Sequence, residues 1–338
     1  MSRESLLLDI KDLNIFFKNK GHKKDTHAIR GLDLSLKEGE ILGIVGESGC
    51  GKSLTNLCIM GLLPDQSYAT WEQFNWRGNQ YSEFKEKTWR GLRGSEIGMI
   101  FQNPMSSLNP TLSLEYQFEE IFKLHRKDLS KSQRKAEAIS LLERVGITQA
   151  EKRLKSYPFE LSGGMAQRVM IATVMATSPR LLIADEPTTA LDVTIQNQVL
   201  DLIKDLSQEN KMSVIFVTHD LAVVSHMADR INVMYAGEIV ESASCSTLIQ
   251  NPSHPYAHAL LNSLPTEEAI IHKAQLKSIP GQVPSFNQRP EGCSFAPRCP
   301  YQKEDCKSSE FEQMVKHKKT RCLYPLNSLQ SKAGALHE

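Results

Sequence analysis

The 338-residue sequence contains no long apolar run. Stretches such as Ile41–Val45 and Val214–Val217 fall far short of the ~18–20 residues that cross a bilayer, so no segment is expected to span a membrane. The chain also lacks an excess of charge of one sign: 40 Lys and Arg stand against 39 Asp and Glu, a formal net charge of +1. That balance excludes a chain held to nucleic acid or lipid headgroups mainly by a global positive field. Met1-Ser-Arg-Glu-Ser runs into an alternating segment, with no apolar core or small-residue cleavage site, so no signal peptide is expected and the cytoplasm is the expected compartment. No internal repeat or low-complexity tract appears. With 40% hydrophobic residues the chain can build packed cores, and its length suggests about two domains.

What is present is ordered punctuation. Glu40-Ile-Leu-Gly-Ile-Val45 reads as a buried strand and runs into the glycine loop Gly46-Glu-Ser-Gly-Cys-Gly-Lys-Ser53. A helix follows by period, with Leu54, Leu57, Cys58 and Leu62 on one face and Gly61 and Pro64 as its stop. Further on, the strand Leu181–Ala184 ends in Asp185-Glu186. Helical spacing then runs through Ile195, Val199, Leu202, Ile203 and Leu206, and the strand Ser213–Val217 comes next. Strands alternating with helices imply an α/β core, a mostly parallel sheet covered on both faces. Leu6–Phe17 and Tyr68–Arg77 suit an antiparallel β patch. Residues 103–160 read as an inserted helical subdomain, including Lys131–Val145 with Ile139, Leu142 and Val145 on one face before Gly146. After residue 250 the period weakens and prolines multiply. The expected division is therefore an α/β domain over 1–250 and a small irregular domain over 251–338.

Gly46–Ser53 fits G-x-x-x-x-G-K-S in the strand-loop-helix context that motif requires. Its backbone N–H groups, from Gly46, Glu47, Ser48, Gly49, Cys50 and Gly51 onward, can converge on phosphate oxygens. Lys52 can reach the β- and γ-phosphates, and the Ser53 hydroxyl can ligate Mg²⁺. The Cys50 side chain reads as a filler of the loop. Asp185, carried to the end of an apolar strand, suits the Mg²⁺ shell, and Glu186 is placed to polarise a water as general base. Ser162-Gly163-Gly164 opens a helix through Val169–Thr177 and offers a second anion-binding helix start. Because one chain needs only one phosphate loop, two chains sharing each nucleotide would explain it.

In order and spacing, the loop Gly46–Ser53, Gln102 after Met99-Ile-Phe, Leu161-Ser-Gly-Gly, Ile183-Ala-Asp-Glu-Pro, Ala190-Leu-Asp192 and Thr218-His219-Asp220 resemble the nucleotide-binding subunits of ABC transporters. The resemblance covers about residues 5 to 325. It implies that Phe17 stacks on adenine, that Gln102 touches Mg²⁺ and the attacking water while facing a membrane partner, and that His219 contacts the γ-phosphate. It further implies that Ser162, Gly163 and Gly164 close over the other subunit's ATP, with Asp192 at the dimer seam. Without that resemblance, Phe17 would read as strand core and His219 as a structural histidine. Met165 departs from the commonest signature, which has glutamine there; Gln167 follows two positions on, and Ser162-Gly-Gly is intact.

Local strings such as Phe101–Pro110, Tyr157–Met165, Asn251-Pro-Ser-His-Pro-Tyr256 and Gly292–Pro300 are similar to the ATPase subunits of dipeptide and oligopeptide importers. That group also includes nickel, glutathione and antimicrobial-peptide systems. The resemblance implies a peripheral protein on the cytoplasmic face of the cell membrane. Its implied partners are a second ATPase subunit in a heterodimer, two permease chains and an extracytoplasmic binding protein. A soluble, non-transport ABC ATPase is the distant alternative; such proteins usually carry two ATPase units or a coiled-coil insertion, and neither is found.

The seven cysteines are uneven: Cys50, Cys58 and Cys245 stand apart, whereas Cys293, Cys299, Cys306 and Cys322 fall within thirty residues. In a reducing compartment such crowding reads as ligands before disulfides. Their spacing, C-x5-C-x6-C-x15-C, is more open than the paired ligands of zinc ribbons. A [4Fe-4S] cluster, which some members of the peptide branch are thought to carry here, zinc, and reduced structural cysteines are the three readings. From Pro280 to Glu338, nine Lys and Arg face six Asp and Glu, which reads as a solvated surface and not a nucleic-acid patch.

Overall fold

The apolar runs read from the sequence become buried strands. A computed structural model describes residues 5–19, 24–189, 191–264, 278–315 and 320–326. Its strands, in chain order, are β1 (Leu6–Phe17), β2 (Thr26–Lys37), β3 (Ile41–Val45), β4 (Ser67–Thr70), β5 (Gln73–Trp76), β6 (Asn79–Gln80), β7 (Ile97–Ile100), β8 (Leu181–Asp185), β9 (Ser213–Thr218), β10 (Arg230–Tyr235) and β11 (Glu238–Ser244). The chain divides into two compact units, one built mainly from Lys37–Glu40 and Phe84–Val217. The other takes in Leu6–Leu36, Ile41–Glu83 and the described part of Thr218–Glu338.

In the first unit β7, β8 and β9 lie side by side and parallel, with Ile100 opposite Ala184 and Asp185 opposite Val217. Every residue of the three strands is buried, which is why they read as apolar runs without alternation. Within residues 103–160 the structure has helices at Pro104–Ser107, Leu114–His125, Lys131–Arg144 and Ala150–Arg153. Ser130 and Gln133 form a reciprocal capping box at the start of Lys131–Arg144, a local device of about 0.5–2 kcal/mol. The buried stripe of that helix is broader than its large aliphatics suggested. Leu142 and Val145 are buried but Ile139 only half so, because Ala138 and Leu141 share the core position. Two longer helices, Gly163–Met175 and Val193–Asn210, complete the unit's main elements.

In the second unit β1 pairs antiparallel with β4 and β5, and the strand order β2-β1-β5-β6 forms the expected β patch. β3 runs parallel to β10, which turns back antiparallel into β11. The helix after β3 spans Lys52–Ile59, and its buried face differs from the one read by period. Thr55, Asn56, Cys58 and Ile59 are buried, whereas Leu54 and Leu57 are half-buried and Leu62 is exposed. Thr55 escapes the usual cost of burial because its hydroxyl donates to the Gly51 carbonyl one turn back, at 3.1 Å. Beyond the helix Pro255–Asn262 the described chain is mostly short turns. Among the described residues no helix is long and apolar enough to cross a membrane.

Candidate functional site

β3 delivers the glycine loop. Gly46 packs so tightly that a Cβ there would lie 2.1 Å from the Met234 carbonyl oxygen. Gly51, at φ +111°, turns the chain into the helix that begins at Lys52, and no side chain caps that helix start. Its first N–H groups and partial positive charge therefore remain for an anion. Lys52 is buried, and its Nζ donates to the carbonyls of Gly46 at 2.7 Å and Glu47 at 3.1 Å. Ser48, Gly49 and Ser53 line the exposed mouth. Cys50 is fully buried, and burial raises its thiol pKa, so it stays protonated and packs as a small apolar group.

A feature that sequence reasoning missed lies directly behind this loop. Arg298 grips the Glu47 carboxylate with both terminal nitrogens, at 2.7 and 2.9 Å, and the Tyr256 hydroxyl accepts from the Glu47 N–H at 2.9 Å. Tyr235, Tyr256 and Phe295 form one aromatic cluster beside them, with ring centroids 4.6–5.3 Å apart. The buried Glu238 accepts from Ser294 and from Arg321, a second polar tie from the C-terminal region to β11. The strings around Tyr256 and Arg298 were legible as branch markers. Their partners were not, because an arginine in an irregular, proline-rich stretch has no period to point it anywhere.

His219 is exposed just after β9, where Asp220 accepts from Ala222 N–H and Val223 N–H to cap the next helix. Phe17 is half-buried at the end of β1. Its neighbour Phe16, on the other face, lies in a stack with His27 at 4.2 Å and Tyr68 at 5.1 Å. That three-ring stack was not legible in the sequence, because His27 and Tyr68 come from separate strands.

In the first unit, β7 and β8 bring Gln102, Asp185 and Glu186 together. Asp185 is buried at the strand end. Glu186 adopts φ +47°, a left-handed backbone uncommon for a glutamate, and its N–H donates to the Val217 carbonyl at 2.9 Å. Its Oε2 accepts from Gln102 Nε2 at 3.1 Å and from the Thr189 hydroxyl at 3.0 Å. Ser162 caps the helix Gly163–Met175 by accepting from Met165 N–H, leaving Ser162 and Gly163 exposed. Asp192 caps the helix Val193–Asn210 through Ile195 N–H at 2.9 Å. The two helices are tied by Arg168 donating to Gln198 at 2.6 Å. Ala190 of the expected seam motif lies outside the described residues.

Cys293, Cys299, Cys306 and Cys322 line one small cavity together with His254, Phe295, Phe311 and Tyr324. Burial pushes the Cys293 thiol up to about 12, the three neighbouring thiols adding to the effect, and burial also raises Cys299. None of the four is in a disulfide among the described residues. Among the described residues, no group of three or more His, Cys, Asp or Glu is spaced to hold a metal ion.

Comparison with known proteins adds identity to this geometry. Residues 29–189 match the ABC transporter family, and residues 240–306 match the oligopeptide/dipeptide transporter C-terminal region. The chain is 44% identical to the dipeptide transport ATP-binding protein DppD of Escherichia coli K12, over 95% of this chain and 97% of the relative. It is 48% identical to the oligopeptide transport ATP-binding protein OppD of Bacillus subtilis 168, over 89% of this chain and 83% of the relative. Among solved structures, the dimeric post-hydrolysis ATP-binding cassette MJ0796, bound to ADP and Pi, aligns with a TM-score of 0.61 at 26% identity. That alignment covers 70% of this chain and 98% of the cassette.

Proposed function

Because the chain belongs to the ATP-binding subunits of ABC transporters, in the branch with the oligopeptide/dipeptide C-terminal region, we propose that it hydrolyses ATP to drive import of di- or oligopeptides. The observation that carries the peptide assignment is the match over residues 240–306, a region outside the nucleotide motifs. Membership in the family makes the chain an ATPase that uses Mg²⁺ and a membrane-associated subunit.

The chemistry assigned is in-line attack of water on the γ-phosphate. Ser53, Gln102 and Asp185 are the residues that would hold Mg²⁺, which when bound would supply positive charge against the phosphates. The buried Asp185 at a strand end and the hydroxyl of Ser53 at the loop mouth are hard oxygen donors suited to that ion. Loop N–H groups from Gly46 to Ser53 bind the phosphates, with Lys52 donating its ammonium. Glu186 takes a proton from the attacking water, and Gln102 orients it through the hydrogen bond they share. His219 is assigned to the γ-phosphate and Phe17 to the adenine face. Ser162, Gly163 and Gly164 close on the nucleotide of a second ATPase subunit, with Asp192 at the seam. The dimeric cassette to which the chain is similar supports the two-chain arrangement. A heterodimer, docked on two permease chains fed by an extracytoplasmic binding protein, is the assembly this reading expects, at the cytoplasmic face of the membrane. The ATPase domain is assigned to 1–250 and the C-terminal domain to 251–338, of which 265–277, 316–319 and 327–338 lie outside the described residues.

Four cysteines lining one cavity are the observation behind a proposed [4Fe-4S] cluster at Cys293, Cys299, Cys306 and Cys322. No step of the hydrolysis is assigned to it. Anaerobic purification with absorbance near about 400 nm and stoichiometric iron and sulfide would support a cluster; colourless, iron-free protein of full activity would remove it.

The deciding experiment is uptake of labelled di- and oligopeptides by cells lacking the gene. Loss of uptake, restored by the intact gene, is expected. Unchanged peptide uptake with loss of nickel or glutathione uptake would move the chain to a sister system.

A further inference from the structure

Glu47 is the second residue of the phosphate loop, and it is held at both ends by residues more than 200 positions away in the chain. Its side chain pairs with Arg298 through two parallel N–H···O bonds of 2.7 and 2.9 Å, with the Arg298 side chain only 5% exposed. Arg298 is itself fixed. Its Nε donates to the Pro280 carbonyl at 2.8 Å, and its guanidinium lies 5.8 Å from the Tyr235 ring centroid. The backbone of Glu47 is pinned separately, its N–H donating to Tyr256 and its carbonyl accepting from Lys52.

Two physical consequences follow for an anion arriving at the loop. A glycine-rich loop binds phosphate with backbone N–H groups, and its affinity falls by whatever ordering must be completed on binding. Anchoring Glu47 completes part of that ordering beforehand. An unpaired carboxylate in the loop would also repel a polyphosphate; the bidentate guanidinium cancels its charge and fixes its direction.

We propose that Arg298, from the C-terminal region, is a positioning residue for the phosphate loop, acting through Glu47 to orient the loop for the nucleotide polyphosphate. The inference rests on the reading of Gly46–Ser53 as the nucleotide site. It assigns to the C-terminal region a part in nucleotide binding that is separate from any role in cargo or permease recognition.

The test uses the full chain in its assembled complex, with titration of a fluorescent ATP analogue and steady-state hydrolysis. Arg298→Met is expected to weaken analogue affinity and raise the KM for ATP by about tenfold, the scale of one lost charged hydrogen bond, with kcat at saturation changed far less. The double variant Glu47→Gln with Arg298→Met should cost no more than Arg298→Met alone, and Arg298→Lys should recover part of the affinity. Thermal unfolding reports folding in parallel. If Arg298→Met does not fold, Glu47→Gln alone decides, because it keeps a hydrogen-bonding side chain of the same shape; a raised KM is then expected. Parent affinity and KM in every folded variant would overturn the proposal and leave the pair a purely structural tie. Failure of the parent complex to bind the analogue would instead overturn the nucleotide-site reading itself.

Discussion

Gln102 Nε2 donates to Glu186 Oε2 at 3.1 Å, joining the residue that leaves β7 to the residue that leaves β8. The parallel register, with Ile100 opposite Ala184, brings the two strand ends level, so the pair is a product of sheet geometry. The unusual backbone of Glu186, at φ +47°, and its second bond from Thr189 hold the carboxylate in one direction. A base whose lone pairs are already aimed needs no reorganisation when water arrives.

Replacing Glu186, the proposed base, is the direct check. Glu186→Gln keeps the shape and the hydrogen bond to Thr189 but removes the proton acceptor. Phosphate release is expected to fall by about 10²–10⁴-fold, while ATP remains bound and the two-subunit dimer accumulates on size exclusion in the presence of ATP. Turnover equal to the parent's would show that another group takes the proton.

Ser162 separates a structural duty from a functional one. Its side chain accepts from Met165 N–H, and Ser162→Ala should lower stability to urea by about 0.5–2 kcal/mol through loss of the cap. Ser162→Asp restores a cap and should recover that stability, yet it places a negative charge where a second subunit's phosphates are proposed to sit. ATPase activity of the assembled complex should stay low. Full activity in Ser162→Asp would confine the residue to capping.

Gly46 tests the rigidity of the loop's seat. A methyl group there would meet the Met234 carbonyl oxygen at 2.1 Å and the Cys50 sulfur at 2.9 Å, and the first of these is backbone that cannot rotate away. Gly46→Ala is expected to cost about 1–3 kcal/mol of stability, read by denaturant unfolding, and to weaken nucleotide binding with it. Parent-like stability would mean that β3 and β10 can separate without penalty.

His27 should make stability depend on pH. Burial, with the charges of Arg30 and Arg289 adding, lowers its pKa to about 4, against smaller opposing effects of the Ile29 backbone and Asp12. Its Nε2 lies 3.0 Å from Asn14 Oδ1, which also accepts from Gly31 N–H, so the neutral ring donates there. In the unfolded chain the same imidazole takes a proton near its ordinary value of about 6.5. The contribution of the neutral ring is therefore complete above about pH 6.5 and is lost progressively as the pH falls toward 4. Urea unfolding between about pH 4 and 7 should be less pH-dependent in His27→Gln, which keeps a donor for Asn14. Identical pH dependence in the two proteins would show that this ring does not carry the effect.

Much of the nucleotide site is written in short strings. The turn at Gly46–Ser53, the carboxylates ending β8 and the cap at Ser162 each depend on chemistry confined to a few neighbouring residues. Their identity and order in the sequence were enough to place them on a strand end, a loop or a helix start. Unbroken apolar runs also identified β3, β8 and β9, since a strand buried on both faces is apolar along nearly all its length. Period failed where polarity was satisfied locally, as at Thr55, whose hydroxyl bonds its own helix and is buried among apolar neighbours.

The sequence by itself thus determined the family and the chemistry, and it named candidate residues for that chemistry. Tertiary structure alone decided which distant groups meet. The Glu47 and Arg298 pair joins positions 251 residues apart, and Phe16 stacks with residues of two other strands. Neither relationship has a periodic or local signature. The stack arises because strand pairing sets Phe16 opposite Tyr68, and the ion pair because burying the aromatic cluster of Tyr235, Tyr256 and Phe295 fixes where the irregular C-terminal chain runs, which brings Arg298 to Glu47.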